Sequence, residues 1–192
     1  KVMKYPAKEE WGKLVERPHL DVSQLNATVE GVLNDVKNNG DAAVKHYEEK
    51  FDHAHLSALA VTEAEIEEAE GLISPELKHA LELAHHNIAT FHQSQKFEGE
   101  KVETAPGVTC WQKSVAIEKV GLYIPGGTAP LFSTVLMLAT PAKIAGCKEI
   151  VLCTPPNAEG KVNPAILMAA KIAGVSKIFK AGGVQAIGAM AY

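Results

Sequence analysis

A short apolar stretch that leads into two adjacent glycines constrains this chain more than any other feature. Residues 120–124 alternate Val, Leu and Ile with other residues, which is the pattern of a buried β-strand. Gly126 and Gly127 follow, and because they lack a Cβ, a ligand can approach their backbone closely. The apolar run over residues 131–145 is too long for a strand and predicts a buried helix. A strand, a glycine turn and a helix in this order are typical of phosphate and dinucleotide sites in α/β proteins.

The spacing of these glycines matches neither of the two common phosphate-binding motifs. It differs from the G-x-G-x-x-G pattern of dinucleotide-binding folds and from the Walker loop. The stretch by itself therefore leaves two interpretations open. It is either a nucleotide site or a tight strand-to-helix turn without a chemical role.

The same order of strand and helix recurs through the C-terminal part of the chain. Strands are predicted over residues 120–124, 149–154 and 177–180, and a helix follows each of them. A second glycine pair, at residues 182–183, comes after the third strand, and Gln185 follows it in the first turn of a helix. Ligands of open parallel sheets bind beyond the carboxyl ends of the strands, where both glycine turns are expected. Gln185 is then either a polar contact for a nucleotide or a solvated first-turn residue.

The N-terminal part, residues 1–120, predicts a mainly helical layer followed by linking strands. Apolar residues recur there at helical spacing, and Thr62 with Glu65 has the pattern of a capping box. The residues expected to begin helices are Ser23, Asp41, Thr62 and Ser74. The side chains expected to face inward are Val29, Val32, Leu33, Val36, Val44, Tyr47, Phe51, Ile66, Ala69, Leu72, Leu77, Leu81, Ala84, Ile88 and Phe91. Residues 101–119 predict one or two strands around a turn at residues 106–107.

These patterns together predict an α/β fold with a division near Gly121. Residues 1–120 are expected to form the helical part of a first domain with its linking strands. Residues 121–192 are expected to form an incomplete, Rossmann-like parallel βαβαβα unit. Because the last helix has barely begun at Tyr192, we expect the sequence to be part of a longer one.

Charge and hydropathy argue against two classes of partner. The formal net charge is −4 and no cluster of Lys and Arg is present, which argues against nucleic acid. No uninterrupted apolar segment is long enough to cross a membrane, and the N-terminus lacks the pattern of a signal peptide. A cytoplasmic location is therefore expected.

The cysteines and histidines each allow a chemical and a structural interpretation. Cys110, Cys147 and Cys153 are expected to be reduced, mostly buried thiols, and the alternative for Cys147 or Cys153 is the nucleophile of an aldehyde dehydrogenase. The eight histidines all lie in the N-terminal part, where pairs such as His53 with His55 are either metal ligands or polar surface residues. No histidine pair has the i, i+4 spacing with a supporting carboxylate that is typical of zinc sites.

Several segments resemble one enzyme family over nearly the whole chain. The longest is VGLYIPGGTAPLFSTVLMLATPAKIAGC at residues 120–147, and VLCTPP at 151–156 and AGGVQAI at 181–187 add to it. The N-terminal pieces NGDA at 39–42 and YxxxFD at 47–52 are similar as well. All of them resemble the histidinol dehydrogenases.

The resemblance implies an activity, cofactors and partners. It implies a cytoplasmic, homodimeric oxidoreductase of histidine biosynthesis that depends on NAD and zinc. Such an enzyme oxidises L-histidinol to L-histidine through histidinal. Tyr123 and Gln185 fall on positions that contact NAD in this family.

The resemblance also implies which functional groups to expect elsewhere. The zinc ligands, the catalytic glutamate and histidine and most substrate contacts of the family lie beyond the equivalent of Tyr192. We therefore assign no catalytic residue and no metal ligand in this chain. Residues 1–192 alone are expected to be inactive, to bind NAD weakly at best and to expose apolar surface. The alternative is a nucleotide-binding or regulatory module without catalysis.

Overall fold

The computed structural model describes residues 2–17, 23–127 and 129–192. The helices, in chain order, are α1 (Trp11–Leu14), α2 (Ser23–Asn39), α3 (Asp41–Asp52), α4 (Glu63–Leu72), α5 (Pro75–Gln93), α6 (Phe132–Ala145), α7 (Pro164–Ala173) and α8 (Gly183–Ala191). The strands are β1 (Val102–Ala105), β2 (Val108–Cys110), β3 (Lys119–Tyr123), β4 (Glu149–Thr154) and β5 (Lys177–Lys180). A 3₁₀ turn, Lys8–Glu10, precedes α1.

A parallel sheet with the order β3-β4-β5 forms the centre of the molecule. In its register Tyr123 lies opposite Cys153, and Thr154 lies opposite Lys180. The carboxyl ends of the three strands therefore meet at one edge of the sheet. Helices α6, α7 and α8 follow the three strands in turn, which confirms the predicted parallel βαβαβα unit.

One face of this sheet is covered by four helices. Helices α6 and α7 pack together, α5 packs against both of them, and α4 packs against α7. Their shared core includes Leu81, Val135, Leu136, Leu152 and Met168, each at most 2% exposed. The apolar face of the sheet requires such a cover because both faces of a parallel sheet are normally buried.

The opposite face is covered by α8 together with α2 and α3. Val32, Val36 and Val44 form a second core with Ala186 of α8. Gly188 allows α2 to approach closely, because a Cβ there would lie 3.2 Å from Leu33 Cδ2. Helices α2 and α3 thus lie on one side of the sheet, and α4 and α5 lie on the other.

The predicted helix ends are largely confirmed. Thr62 Oγ1 accepts from the Glu65 N–H, and the Glu65 carboxylate accepts from the Thr62 N–H, which completes the capping box. Ser74 caps α5, and the Asn163 side chain caps α7 by accepting from the Ala165 N–H. Helix α2 begins at Ser23, whose side chain lies outside the described part of the chain. Helix α3 differs from the prediction, because Gly40 at a φ of 55° precedes the helix and Asp41 is its first residue.

Several side chains predicted to be buried are exposed. Phe51, Leu72 and Phe91 are 51%, 63% and 63% exposed, respectively. Helical spacing identifies residues that share a face but not whether another element lies against all of that face. Pro141 lies inside α6 without interrupting it, in a helix packed against both α5 and α7.

The antiparallel hairpin of β1 and β2 stands apart from the central sheet, and all of its residues are exposed. It forms around the predicted turn, where Gly107 has a φ of 80°. Val115 and Ile117 follow it outside any strand and are also exposed. Among the described helices, none combines the length and the hydropathy that a membrane span requires.

Candidate functional site

A cleft of about 990 Å³ lies at the carboxyl edge of the parallel sheet. Both glycine turns contribute to it, the first after β3 and the second after β5. Its remaining walls come from the loop after β4 and from helices α2, α3, α4 and α7. The cleft is therefore where an open parallel sheet is expected to bind a ligand.

The first glycine turn is exposed and has few neighbouring atoms. Pro125, Gly126 and Gly127 are exposed, while Ile124 just before them is fully buried. A Cβ at Gly126 would lie 2.6 Å from Pro155 Cγ, whereas a Cβ at Gly127 would meet no atom within 4 Å. Gly126 thus makes room for the proline, and Gly127 presents bare backbone to open space. Thr128 lies outside the described residues.

The second glycine turn is held from several sides. The Ala181 N–H donates to the Thr154 carbonyl at 3.0 Å, and the Gly183 N–H donates to the Tyr123 hydroxyl at 3.0 Å. Between them, the Gly182 N–H donates to Glu48 Oε1 at 2.7 Å. Side chains from β3 and α3 and the backbone of β4 therefore fix this turn.

The two predicted NAD contacts, Tyr123 and Gln185, both line the cleft. Tyr123 is half-buried at the end of β3 and bonds to the second glycine turn. Gln185 is only 1% exposed, and its Nε2 donates to Glu48 Oε1 at 2.9 Å. This burial excludes the solvated first-turn interpretation of Gln185. The structure brings both side chains to the same turn, and their contact with NAD stays a prediction.

Glu48 is a site residue that the sequence analysis missed. It lies in α3 and is fully buried, although it accepts from groups more than 130 positions away. The predicted inward face of α3 followed Val44, Tyr47 and Phe51, but the buried face passes through Val44 and Glu48. A carboxylate four residues after a core valine, on the same helix face, was the available signal.

Burial dominates the electrostatics of the carboxyl groups beneath the second glycine turn. It raises the pKa of Glu48 above its usual value, although the bonds from Gly182 and Gln185 oppose this. It also raises the pKa of Asp52, which lines the cleft one helical turn further along α3. Two lysines that line or flank the cleft already form ion pairs: Lys161 pairs with Glu68 at 2.7 Å, and Lys180 pairs with Glu65 at 2.5 Å.

The cysteines do not have the properties of a catalytic nucleophile. Cys153 lies in β4 and is 3% exposed, and burial raises the pKa of its thiol to about 11. Such a thiol stays protonated at neutral pH, whereas nucleophilic attack requires the thiolate. Cys147 is also buried, as predicted, whereas Cys110 is exposed because it lies in β2, whose residues are all exposed.

The described residues do not form a metal site. No group of three or more His, Cys, Asp or Glu side chains in residues 2–17, 23–127 and 129–192 is placed to bind an ion. His55 pairs with Glu49 at 3.4 Å, and His92 Nδ1 lies 2.7 Å from Gln95 Oε1. His19 lies outside the described residues.

Comparison with known proteins gives a consistent result. The sequence model of the family described as histidinol dehydrogenase matches residues 15–192. A curated histidinol dehydrogenase of Bacteroides thetaiotaomicron is 67% identical over all 192 residues, which are 45% of its own length. A histidinol dehydrogenase of Escherichia coli is 49% identical over 185 residues, 42% of its length.

A solved structure agrees with the sequence matches. The crystal structure of histidinol dehydrogenase from Elizabethkingia anophelis superposes with a TM-score of 0.91 at 50% identity. The match covers 96% of this chain and 43% of that one. The chain thus spans somewhat less than half the length of the relatives it matches, and it belongs to the histidinol dehydrogenase family.

Proposed function

We propose that the natural protein containing this sequence is an NAD-dependent oxidoreductase that converts L-histidinol to L-histidine through histidinal. The observation that carries this proposal is the 67% identity to a curated histidinol dehydrogenase along the entire chain. The cleft at the carboxyl edge of the sheet supports it, because its walls suit a dinucleotide.

The cleft offers a dinucleotide several features that such ligands require. Gly127 exposes backbone at the first turn, and helix α8 begins at the second, where Val184 and Gln185 line the cleft. Helix N-termini favour the negative charge of a pyrophosphate. We infer that Tyr123 and Gln185 contact the bound NAD.

The proposed contribution of this chain is to bind and orient the cofactor. Bound NAD⁺ supplies the acceptor for the hydride that leaves the alcohol carbon. The chain would hold the cofactor with its glycine turns and would exclude water from one side of it. The proton of the alcohol requires a general base, and we assign no residue of this chain to that role.

A zinc requirement, a homodimer and a cytoplasmic location complete the proposal for the whole protein. The described residues do not fit a zinc site. Loss of activity with a chelator, restored by added zinc, would support the requirement. A native mass of twice the subunit mass would support the dimer.

The direct test is NADH formation by the purified natural protein with L-histidinol. We expect NADH to form only with histidinol present, and L-histidine to accumulate at half the amount of NADH. Absence of NADH formation at every metal supplement would contradict the proposal. Residues 1–192 expressed alone should form no NADH under the same conditions.

A nucleotide-binding module without catalysis is the second candidate. The cleft favours this candidate because it could hold a nucleotide. The described residues that form the cleft include no metal-binding group. Binding of NAD⁺ by the natural protein without any histidinol turnover would favour this candidate over the dehydrogenase.

A further inference from the structure

Glu48 combines complete burial with a half-satisfied carboxyl group. Its Oε1 accepts from both the Gly182 N–H and the Gln185 amide. Its Oε2 is buried and makes no hydrogen bond with a donor in the described part of the chain. An ionised carboxylate oxygen in this position would lose its hydration without compensation.

A second acid lies on the same face of α3 as Glu48. Asp52 follows Glu48 by one helical turn, and the proximity of the two acids raises the pKa of Glu48. Asp52 Oδ2 also reaches the second glycine turn, 3.2 Å from where a Cβ at Gly182 would lie. Two ionised carboxylates can only accept, so contact between them requires that one carries a proton.

The described lysines do not pair with either acid, and the positive charge of a protonated His53 acts on Asp52 rather than on Glu48. His53 follows on α3, Cys153 faces Glu48 from β4, and Gln185 faces it from α8. The two lysines of α3 point elsewhere, since Lys45 donates to the Ser57 carbonyl and Lys50 lies over aromatic rings. No described Lys or Arg forms an ion pair with Glu48 or Asp52.

We propose that Glu48 is a protonated carboxylic acid that donates from Oε2 to Asp52 and accepts at Oε1, and that it thereby positions the second glycine turn and Gln185 for the dinucleotide. When Glu48 carries this proton, the two donors at Oε1 and the acceptor at Asp52 each have a hydrogen-bond partner. Asp52 then carries the single negative charge of the pair and faces the cleft. The part of this inference that concerns the dinucleotide depends on the proposed NAD-linked function.

The electrostatics agree with this arrangement. Burial raises the pKa of Glu48 from 4.5, and its contact with Asp52 raises it further. Burial also raises the pKa of Asp52, but its contact with Glu48 and the charge of His53 oppose that rise. Because the folded state keeps a proton that the unfolded state releases, the pair contributes stability at low pH. That contribution is lost as the pH rises from about 4.5 through the raised pKa of Glu48.

The experiment compares E48Q, E48A and D52N with the matched control E49Q in the full natural protein. The amide of E48Q reproduces the neutral acid, with an oxygen that accepts and an NH₂ that donates to Asp52. Glu49 is next in the chain and exposed, so E49Q removes a charge from α3 without touching the glycine turn. The readouts are the Kd for NAD⁺ across pH, the pH dependence of thermal unfolding, and the infrared band of a protonated carboxyl group.

We expect E48A to raise the Kd for NAD⁺ about tenfold, because two buried donors lose their acceptor. E48Q should recover most of that loss, and the wild-type Kd should rise with pH while that of E48Q stays constant. The protonated-carboxyl band should be present in the wild type, D52N and E49Q and absent in E48Q. The unfolding temperature of E48Q should increase relative to the wild type as the pH rises.

Two results would overturn the inference. A wild-type spectrum without a band that E48Q removes would show that Glu48 is ionised. Equal loss of NAD⁺ affinity in E48Q and E48A would show that its negative charge, rather than its proton, matters. If the wild type binds no NAD⁺ at all, the proposed function fails, while the infrared and unfolding measurements still decide the protonation of Glu48 without the cofactor.

Discussion

The two glycine turns of this protein have the same local sequence pattern and very different support. Each follows a parallel strand and contains two adjacent glycines. The second turn is bonded to Tyr123, Glu48 and the backbone of β4, and its Gly182 is buried. The first turn is exposed, and Gly127 meets no neighbour within 4 Å of an added Cβ.

The difference shows that one motif can serve two structural purposes within one cleft. The second turn is a fixed surface, since its N–H groups are already committed to protein acceptors. The first turn leaves its backbone accessible to a ligand. Because this turn is exposed, it can also shift when a ligand binds. Pro155, from the loop after the central strand, packs between them and fills the space that both Gly126 and Gly182 leave.

Gly182→Ala should have the largest effect on stability. The added Cβ would lie 2.8 Å from Pro155 Cβ and 3.2 Å from Asp52 Oδ2, in a turn that cannot move away. We expect a loss of about 1–3 kcal/mol in the free energy of unfolding, measured by denaturant titration. Gly31→Ala in α2, which meets no atom within 4 Å, is the control and should not destabilise the protein.

Gly126→Ala should cost less than Gly182→Ala, although its Cβ would lie closer to the proline, 2.6 Å from Pro155 Cγ. The exposed first turn can shift, so we expect a loss of about 1 kcal/mol or less. The same denaturant titration measures it. Equal losses for the two glycines would break the distinction between a fixed and an adjustable turn.

Tyr123→Phe should have a smaller effect, because it removes only the hydroxyl that accepts from the Gly183 N–H. We expect about 0.5–1 kcal/mol of lost stability, together with a higher KM for NAD⁺ and an unchanged KM for histidinol in the full natural protein. Tyr123→Ala should raise the KM for NAD⁺ further. Tyr5→Phe, at a fully exposed tyrosine, is the control. An unchanged KM for NAD⁺ in Tyr123→Ala would contradict the cofactor contact.

Cys153→Ala should have the smallest effect on activity. Its thiol, with a pKa of about 11, is protonated at neutral pH. We expect an unchanged kcat with histidinol and with histidinal, measured by NADH formation. Loss of either activity in a variant with intact fold would support the thiol-dependent alternative. In the wild type, exposed Cys110 should react with an alkylating reagent before Cys153 does.

The sequence was sufficient for the fold wherever a local rule determines the structure. Short apolar runs located the three parallel strands, and the capping box at Thr62 located the start of α4. Glycine turns after two of those strands located the cleft. These features depend on residues that are close together in the chain, so they can be predicted from the sequence alone.

What the sequence could not provide depends on contacts between distant segments. Glu48 is paired with a turn 134 residues away, so its burial has no local cause. Gln185 has a polar side chain at a first-turn position, and its bond to Glu48 gives that side chain a partner within the core. Phe91 lies on the predicted inward face of α5, yet no described element covers it.

The packing of α2 and α3 against α8 also has a consequence for the order of folding. Val32, Val36 and Val44 share a core with Ala186, so their packing partner leaves the ribosome long after they do. During synthesis these two helices keep an unburied apolar face until α8 has been made. Protein biogenesis thus exposes this segment to chaperones or aggregation for longer than the sheet it finally covers.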